Sequence, residues 1–135
     1  MIRARQTFSK SERLCSVKLI SDVFETGNLL RSPNLKLLWK ISTSELPSPA
    51  QIVITVPRKN IKKAVARNII KRRLREAYRK NKIHLYDVLI EEKTQLLLIM
   101  IYKPCRALSY NLIEKSVSDL IRTLCNNVKQ DSNNS

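Results

Sequence analysis

The sequence predicts a single α+β domain, a two-layer sandwich in which three helices pack on a small sheet of about four strands. The chain has 135 residues, of which 43% are apolar, and this is enough for one domain with a buried core. Segments with apolar residues every three to four positions alternate with segments in which every second residue is apolar. The predicted order is helix, strand, strand, basic helix, strand and helix, with room for one further short strand within 28–34.

The first helix is predicted over residues 12–26, where apolar residues recur at helical spacing, and Gly27 follows it as a C-terminal cap. The polar and basic residues 1–11 before it are expected to form a flexible arm. The apolar positions of this helix are Leu14, Val17, Ile20, Val23 and Phe24.

Two strands are predicted next, over 35–41 and 51–57, because apolar and polar residues alternate in both. The connection 42–50 is polar and contains proline, so we expect the two strands to pair as antiparallel neighbours. One side of the first strand should pack into the core, through Leu35, Leu37, Trp39 and Ile41. The opposite, exposed sheet face should carry Lys36, Leu38, Lys40, Val53 and Thr55.

The second half of the chain predicts a basic helix over 61–82 with Asn60 as its N-cap, a buried central strand over 96–103, and a last helix capped by Ser109. Residues 84–95 are compatible with a continuation of the basic helix or with a turn and linker. Residues 127–135 are expected to be a disordered polar tail, which leaves 12–126 as the domain. The apolar stripe of the last helix is Leu112, Ile113, Val117, Leu120, Ile121 and Leu124.

Charge is the most informative feature of the composition. The formal net charge is +15, and residues 58–82 contain twelve basic residues and one acid, so that the rest of the chain contributes only +4. A domain with such a concentrated basic element is typically built to bind a polyanion. A solvated charged face, an ordinary cationic domain and a nuclear-localisation patch are the alternatives.

Helical phase arranges the basic segment into faces. At ~100° per residue, Arg67, Lys71, Arg75 and Arg79 form one stripe, with Asn68 and Arg72 beside it. Like charges four residues apart repel, so a stripe without acidic partners indicates a counter-charge from a polyanion. Arg73 falls within the apolar arc, where its stem should follow the core edge while its head reaches solvent. The arc expected to pack on the sheet comprises Val65, Ala66, Ile69, Ile70, Leu74 and Ala77.

Other function classes are disfavoured. The three cysteines have no zinc-ligand spacing, and we expect free thiols in a reducing cytoplasm. The longest apolar run, 96–102, is far shorter than the ~20 residues of a membrane span, and no secretory signal opens the chain. His84 has no partner for a catalytic pair and the acids form no paired-carboxylate motif, which disfavours a protein hydrolase. A strand rather than a helix precedes the basic helix, which disfavours a helix-turn-helix.

The segment "KAVARNIIKRRLREAYR" (63–79) resembles the protein subunit of bacterial ribonuclease P. Arg67, Asn68, Lys71, Arg72 and Arg75 match the signature of that family, as does the basic pair at 58–59. The resemblance extends over about 12–126. Three positions depart from the family pattern: Ile69 replaces an arginine, Val53 a glycine and Ile20 an aromatic residue.

This resemblance implies the ribosomal-protein-S5-domain-2-like fold, with a left-handed β-α-β crossover that contains the basic helix, against the usual right-handed rule. It also implies a monomeric protein that binds one catalytic RNA, the two together removing the 5′ leader from precursor tRNA. The RNA would carry the chemistry with Mg²⁺ bound mainly by the RNA, so no catalytic residue and no metal are expected in the protein. The alternatives are a ribosomal or RNA-chaperone protein without a catalytic partner, and a DNA-binding regulator.

The resemblance, combined with the faces assigned to the basic helix and to the strands, gives two sets of expected site residues. Trp39 is expected in the core, and Phe24 is left open between the core and a cleft that binds the leader. The residues expected to bind the catalytic RNA are Arg58, Lys59, Lys62, Lys63, Arg67, Asn68, Lys71, Arg72, Arg75 and Arg79. The residues expected to bind the precursor leader are Ile20, Phe24, Lys36, Leu38, Lys40 and Thr55.

Overall fold

A computed structural model of the protein describes residues 10–134 and contains three α-helices and one four-stranded mixed sheet, which confirms the predicted fold class. The predicted arm 1–11 lies outside the described residues except for its last two, which begin a short 3₁₀ turn. The elements in chain order are the 3₁₀ turn Lys10–Glu12, α1 Val17–Thr26, β1 Asn28–Arg31, β2 Leu35–Ile41, β3 Ala50–Thr55, α2 Ala64–Glu91, β4 Leu96–Tyr102 and α3 Tyr110–Asn134.

The strand order is β1-β2-β4-β3, and the predicted pairing of β2 with β3 is therefore wrong. The strand β4 lies between them, antiparallel to β2 and parallel to β3. Every residue of β4 except Ile101 is buried. A strand that is apolar on both faces buries most of its apolar surface when it lies in the centre of the sheet. The unit β3–α2–β4 joins two parallel strands through a helix, which is the predicted β-α-β crossover; its left hand stays a prediction.

The two faces of the sheet pack against different helices. One face, which includes Leu37, Trp39 and Leu98, forms the main core with α2 and α3. The opposite face, with Leu97 and Ile99 at its centre, packs against α1. Trp39 is in the core as predicted, whereas Ile41 at the strand end is 39% exposed and is not a core residue.

Helix α1 starts later than predicted, at Val17, because Ser16 caps it by accepting a hydrogen bond from the Leu19 amide at 3.3 Å. Gly27 follows the helix as predicted, but its φ of −73° is not left-handed. A Cβ at this position would lie 2.4 Å from the carbonyl oxygen of Val23, so close backbone approach is what requires glycine.

Both boundaries of α2 differ from the prediction. The helix begins at Ala64, and Asn60 is not its cap. The side-chain amide of Asn60 instead donates to the carbonyl oxygens of Tyr102 and Lys103, each at 3.2 Å. The helix continues to Glu91, so most of 84–95 is a continuation of it. Lys93, with φ 55°, takes the left-handed position that ends it.

Helix α3 begins after Ser109 as predicted, but the predicted disorder of the tail is wrong for 127–134, because the helix runs to Asn134; Ser135 lies outside the described residues. Val128 continues the apolar stripe beyond Leu124 and is fully buried, which holds this end of the helix on the sheet. Of the six residues predicted for the stripe, Leu112 alone is exposed, at 50%.

Candidate nucleic-acid interface

The outer face of α2 and the turn before it form a continuous basic surface. Ile70, Leu74 and Ala77 are fully buried against the sheet and fix the rotation of the helix. Its polar residues therefore face outward. The segment 46–75, which includes the turn before α2 and the first part of the helix, contains no Asp or Glu. The α2 basic surface consists of Arg58, Lys59, Lys62, Lys63, Asn68, Lys71, Arg72 and Arg75, of which all are exposed except Lys71, which is half-buried.

Two residues of the predicted stripe have partners within the protein. The Arg67 guanidinium donates to the carbonyl oxygens of Ile61 at 3.0 Å and Lys62 at 2.7 Å, and thus braces the loop that leads into α2. Arg79 pairs with Glu76, and this hydrogen bond lowers the pKa of the Glu76 carboxyl and raises the pKa of Arg79. The expectation of a stripe without acidic partners is therefore wrong at Arg79.

The predicted apolar arc of α2 also needs correction. Val65 is 72% exposed and Ile69 is 39% exposed. The reason is helical phase. At ~100° per residue, Val65 lies on the opposite side of the helix from the buried Leu74, and Ile69 lies about 140° around the helix from Leu74. Arg73 is half-buried at the core edge, and its guanidinium donates to the carbonyl oxygen of Leu108 at 2.6 Å instead of being only solvated. This bond ties α2 to the segment before α3.

The predicted leader-binding residues gather on the face of the sheet that packs against α1. Lys36 and Thr55 both lie opposite Ile101 in the register, so the three side chains form one row across β2, β4 and β3. Leu38 occupies the next row, opposite Ile99. The strand residues of this surface are half-buried, and Leu38 and Ile101 pack against the same cluster as Ile20 of α1. We call the surface that consists of Ile20, Phe24, Lys36, Leu38, Lys40, Thr55 and Ile101 the sheet groove.

Helix α1 forms one wall of the sheet groove. Ile20 is half-buried against the second core cluster. Phe24 is 55% exposed, so it is not a core residue. The Lys40 amine donates to the Thr26 hydroxyl at 2.7 Å and thereby links β2 to the end of α1. The groove combines cations with apolar side chains, a composition suited to a single-stranded nucleic acid.

Sequence reasoning missed two residues near the groove. Arg31 lies opposite Lys36 in the β1–β2 pair, and Ile101 fills the centre of the same row. The Ser-Pro-Asn segment at 32–34 was the available signal, since it is typical of a turn that joins two paired strands.

A buried polar cluster, also missed, connects the segment before α1 to the middle of α2. The Lys82 amine lies 2.7 and 2.8 Å from the two carboxylate oxygens of Glu12, and the Tyr86 hydroxyl donates to the same carboxylate. Lys82 is 1% exposed and Glu12 is 5% exposed. Burial raises the pKa of Tyr86 far above its ordinary value. Lys82 is therefore a structural residue and does not add to the α2 basic surface.

Within residues 10–134 no three His, Cys, Asp or Glu side chains come together as metal ligands would. His84 is exposed on α2. Cys15 and Cys105 are exposed and Cys125 is buried, all as free thiols, and burial raises the pKa of Cys125. In the described part of the chain, no helix is both long and apolar enough to cross a membrane.

Comparisons with known proteins agree with one another. The sequence model of a family described as Ribonuclease P matches residues 8–125. The chain is 33% identical over 122 residues to the ribonuclease P protein component of Petrotoga mobilis, covering 88% of this chain and 96% of that protein. It is 28% identical over 120 residues to the ribonuclease P protein component of Porphyromonas gingivalis, covering 89% and 88%.

Solved structures show the same fold. The RNase P protein of Staphylococcus aureus aligns with a TM-score of 0.68 at 20% identity, over 85% of this chain and 96% of that one. The RNase P protein from Thermotoga maritima aligns with a TM-score of 0.64 at 21% identity, over 83% and 96%.

Proposed function

The chain belongs to the ribonuclease P protein family, and we propose that it binds a catalytic RNA through α2 while its sheet groove binds the 5′ leader of precursor tRNA. Membership of the family makes it an RNA-binding protein of tRNA processing and part of an endoribonuclease complex. The observation that carries the proposal is the separation of two candidate surfaces. The helix α2 packs on one face of the sheet, and the sheet groove lies on the other.

We assign the catalytic RNA to the α2 basic surface. Its arginines, among them Arg72 and Arg75, can bind phosphate oxygens through two donors at once. Asn68 adds a neutral group that can contact a base edge or a 2′-hydroxyl. Arg67 holds the preceding loop through two carbonyl oxygens, so that loop is ordered before RNA binds and costs little entropy on binding. In this role the protein neutralises RNA phosphates and stabilises the holoenzyme.

We assign the leader to the sheet groove. A groove with Lys36 and Lys40 along one strand offers charge to the backbone of a single strand, and Phe24 offers an exposed ring on which a base can stack. Mature tRNA lacks the leader and so lacks these contacts. The groove therefore gives the holoenzyme a preference for precursor over mature tRNA.

We place the chemistry on the RNA. Mg²⁺ there would activate a water for hydrolysis and stabilise the leaving oxygen, and it would be bound mainly by RNA phosphates. The protein acts by positioning, as one copy with one catalytic RNA, in the cytoplasm. No side chain of the protein is assigned an acid, base or nucleophile role.

Reconstitution tests this function directly. The purified protein alone should leave precursor tRNA uncut. Addition of a bacterial ribonuclease P RNA at low Mg²⁺ should restore cleavage at the 5′ end of the mature sequence, at a Mg²⁺ concentration where the RNA alone is inactive. Failure to stimulate such an RNA would refute the proposed function. Stoichiometric sedimentation with a ribosomal subunit would support a ribosomal protein instead.

A further inference from the structure

The end of the sheet where β3 and β4 finish carries a second group of cations. Because β2 runs antiparallel to β4, Leu35 lies opposite Tyr102, and the tip of the β1–β2 hairpin sits beside the residues that follow β4. Arg31 and Lys36 flank this tip, and Lys103 and Arg106 lie in the segment after β4. We call the hairpin tip 32–34, its two flanking cations and the segment 103–108 the hairpin–loop site.

A cavity opens within the hairpin–loop site. Its volume is about 440 Å³, within the range of pockets that hold small ligands. One wall is the hairpin tip, through Pro33 and Asn34, and the other is the loop, through Lys103, Pro104 and Arg106. Two cations and two rigid proline rings thus surround a space in which a phosphate and a base can both find contacts.

Hydrogen bonds fix both walls of the cavity. The Lys103 amine donates to the carbonyl oxygen of Ser32 at 3.0 Å, and the Lys103 backbone amide donates to that of Asn34 at 3.0 Å. The Tyr102 hydroxyl donates to the Arg106 carbonyl oxygen at 2.6 Å and accepts from the Leu108 amide at 3.0 Å. A site ordered in this way needs little rearrangement to bind a ligand, which favours affinity.

The segments that carry these cations, 28–44 and 93–113, contain no Asp or Glu, and neither does 46–75, whose Asn60 bonds to Lys103. Helix α3 meets the hairpin tip through Ser116, and its Glu114 accepts a hydrogen bond from Asn81 of α2. Ion pairs within residues 10–134 include Arg79 and Arg122, but none is formed by the four cations of the hairpin–loop site. Cations that the fold holds close together repel one another, and an anionic ligand would relieve this repulsion.

The sheet groove leads into this site. Its row formed by Lys36, Ile101 and Thr55 is the one nearest to the hairpin tip, and Arg31 lies directly opposite Lys36. A strand of RNA that leaves the groove at this row meets Arg31 first and then Lys103 and Arg106. The turn before α2 contacts this site as well, because the side-chain amide of Asn60 donates to the carbonyl oxygen of Lys103 at 3.2 Å. The hairpin–loop site therefore lies between the sheet groove and the α2 basic surface, and the test below distinguishes the two RNAs.

We propose that the hairpin–loop site binds the phosphates of the precursor leader beyond the nucleotides in the sheet groove, with one nucleotide in the cavity. This inference rests on the proposed function, since it assumes that the leader occupies the groove. Arginine suits the role because its planar fork can bind two phosphate oxygens. The site would make affinity depend on the length of the leader.

The test measures the affinity of the reconstituted holoenzyme for precursors whose leaders are lengthened one nucleotide at a time. The variant is Arg31→Ala/Arg106→Ala, because both side chains are exposed and Lys103 is left to hold the hairpin tip. The matched control is Arg122→Ala/Lys129→Ala, which removes two exposed cations from α3. Equal midpoints of urea unfolding for the two variants show that the fold is kept.

For the long leader, the Arg31→Ala/Arg106→Ala holoenzyme should bind about tenfold more weakly, which lies within the range expected for the loss of two exposed charged contacts. The slope of log K against log salt should fall by about 1.4, at about 0.7 per phosphate of a single strand. Affinity for a leader too short to leave the groove, and for the catalytic RNA, should be unchanged, and the control should resemble the wild type.

Three results for the Arg31→Ala/Arg106→Ala variant would overturn the proposal: unchanged affinity for the long leader, an equal loss of affinity for the short leader, or weaker binding of the catalytic RNA alone. The last would assign these cations to the catalytic RNA. If the wild-type protein fails to stimulate the RNA at all, the proposed function itself fails. If the wild-type protein stimulates the RNA, but the Arg31→Ala/Arg106→Ala holoenzyme binds the long leader as tightly as the wild type does, only the hairpin–loop proposal is refuted.

Discussion

Replacing Lys82 with methionine tests whether the buried ion pair to Glu12 holds the segment before α1 on α2. The amine is 2.7 Å from the carboxylate, and both side chains are almost fully buried. Removal of one partner leaves an uncompensated buried charge, which costs about 3–5 kcal/mol. Domains of this size are stable by only about 5–15 kcal/mol, so the loss should be obvious in urea unfolding.

The double variant Glu12→Gln/Lys82→Met separates charge from packing. Glutamine keeps an acceptor for the Tyr86 hydroxyl, and methionine keeps most of the volume of the lysine stem. Because replacement of a buried pair by neutral groups is often close to neutral, the double variant should recover to within about 1–2 kcal/mol of the wild type. Lys115→Met, at an exposed position of α3, serves as the control and should change stability by less than about 0.5 kcal/mol. A double variant as unstable as Lys82→Met would refute the reasoning.

Three further predictions concern local structure. Gly27→Ala should lower stability by more than about 1 kcal/mol, because its methyl would collide with the Val23 carbonyl oxygen 2.4 Å away; an unchanged unfolding midpoint would contradict this. Val128→Ala should cost roughly 1–3 kcal/mol and increase amide hydrogen exchange at the end of α3, whereas a disordered tail would show neither effect. Arg67→Lys keeps the charge, but its shorter side chain should lose the two bonds that Nη1 of Arg67 donates to carbonyl oxygens, so it should weaken catalytic-RNA binding in a filter-binding assay; wild-type affinity would exclude the bracing role.

Periodicity predicted the elements whose burial follows a simple repeat. The alternation in β2 predicted Leu37 and Trp39 in the core, and the structure confirms both. Lys36 lies on the opposite face as predicted, but it is half-buried, because α1 packs on the face that was expected to be exposed. The doubly apolar run at 96–102 was correctly identified as the central strand, since such a run must be covered on both faces.

Strand neighbours and long-range pairs could not be predicted in this way. Alternation fixes which side of a strand is buried but not which strand lies beside it, so β3 was placed next to β2 when β4 separates them. The pair of Glu12 and Lys82 joins residues that are 70 positions apart, and Lys82 looked like one more member of a basic helix. The fold buries Lys82 beside Glu12, and Lys82 is therefore a structural residue.

Errors at the helix ends have local causes. Asn60 is a favoured residue type at an N-cap, but its amide is engaged by two carbonyl oxygens at the end of β4, and α2 begins four residues later. The polar composition of 127–135 predicted a disordered tail, whereas the buried Val128 extends the packing of α3 by another turn. In both cases tertiary contacts outweighed the local preference.

The central claim, that the two faces of the protein bind different RNAs, is tested most directly by one crossed measurement. Arg75→Ala and Lys36→Ala are each assayed for affinity to the catalytic RNA and for the preference of the holoenzyme for precursor over mature tRNA. Arg75→Ala should weaken binding of the catalytic RNA and lower its salt slope by about 0.7–0.9, with the preference unchanged. Lys36→Ala should lower the preference and leave the affinity for the catalytic RNA unchanged. Equal effects of both variants on both quantities would contradict the two-surface account.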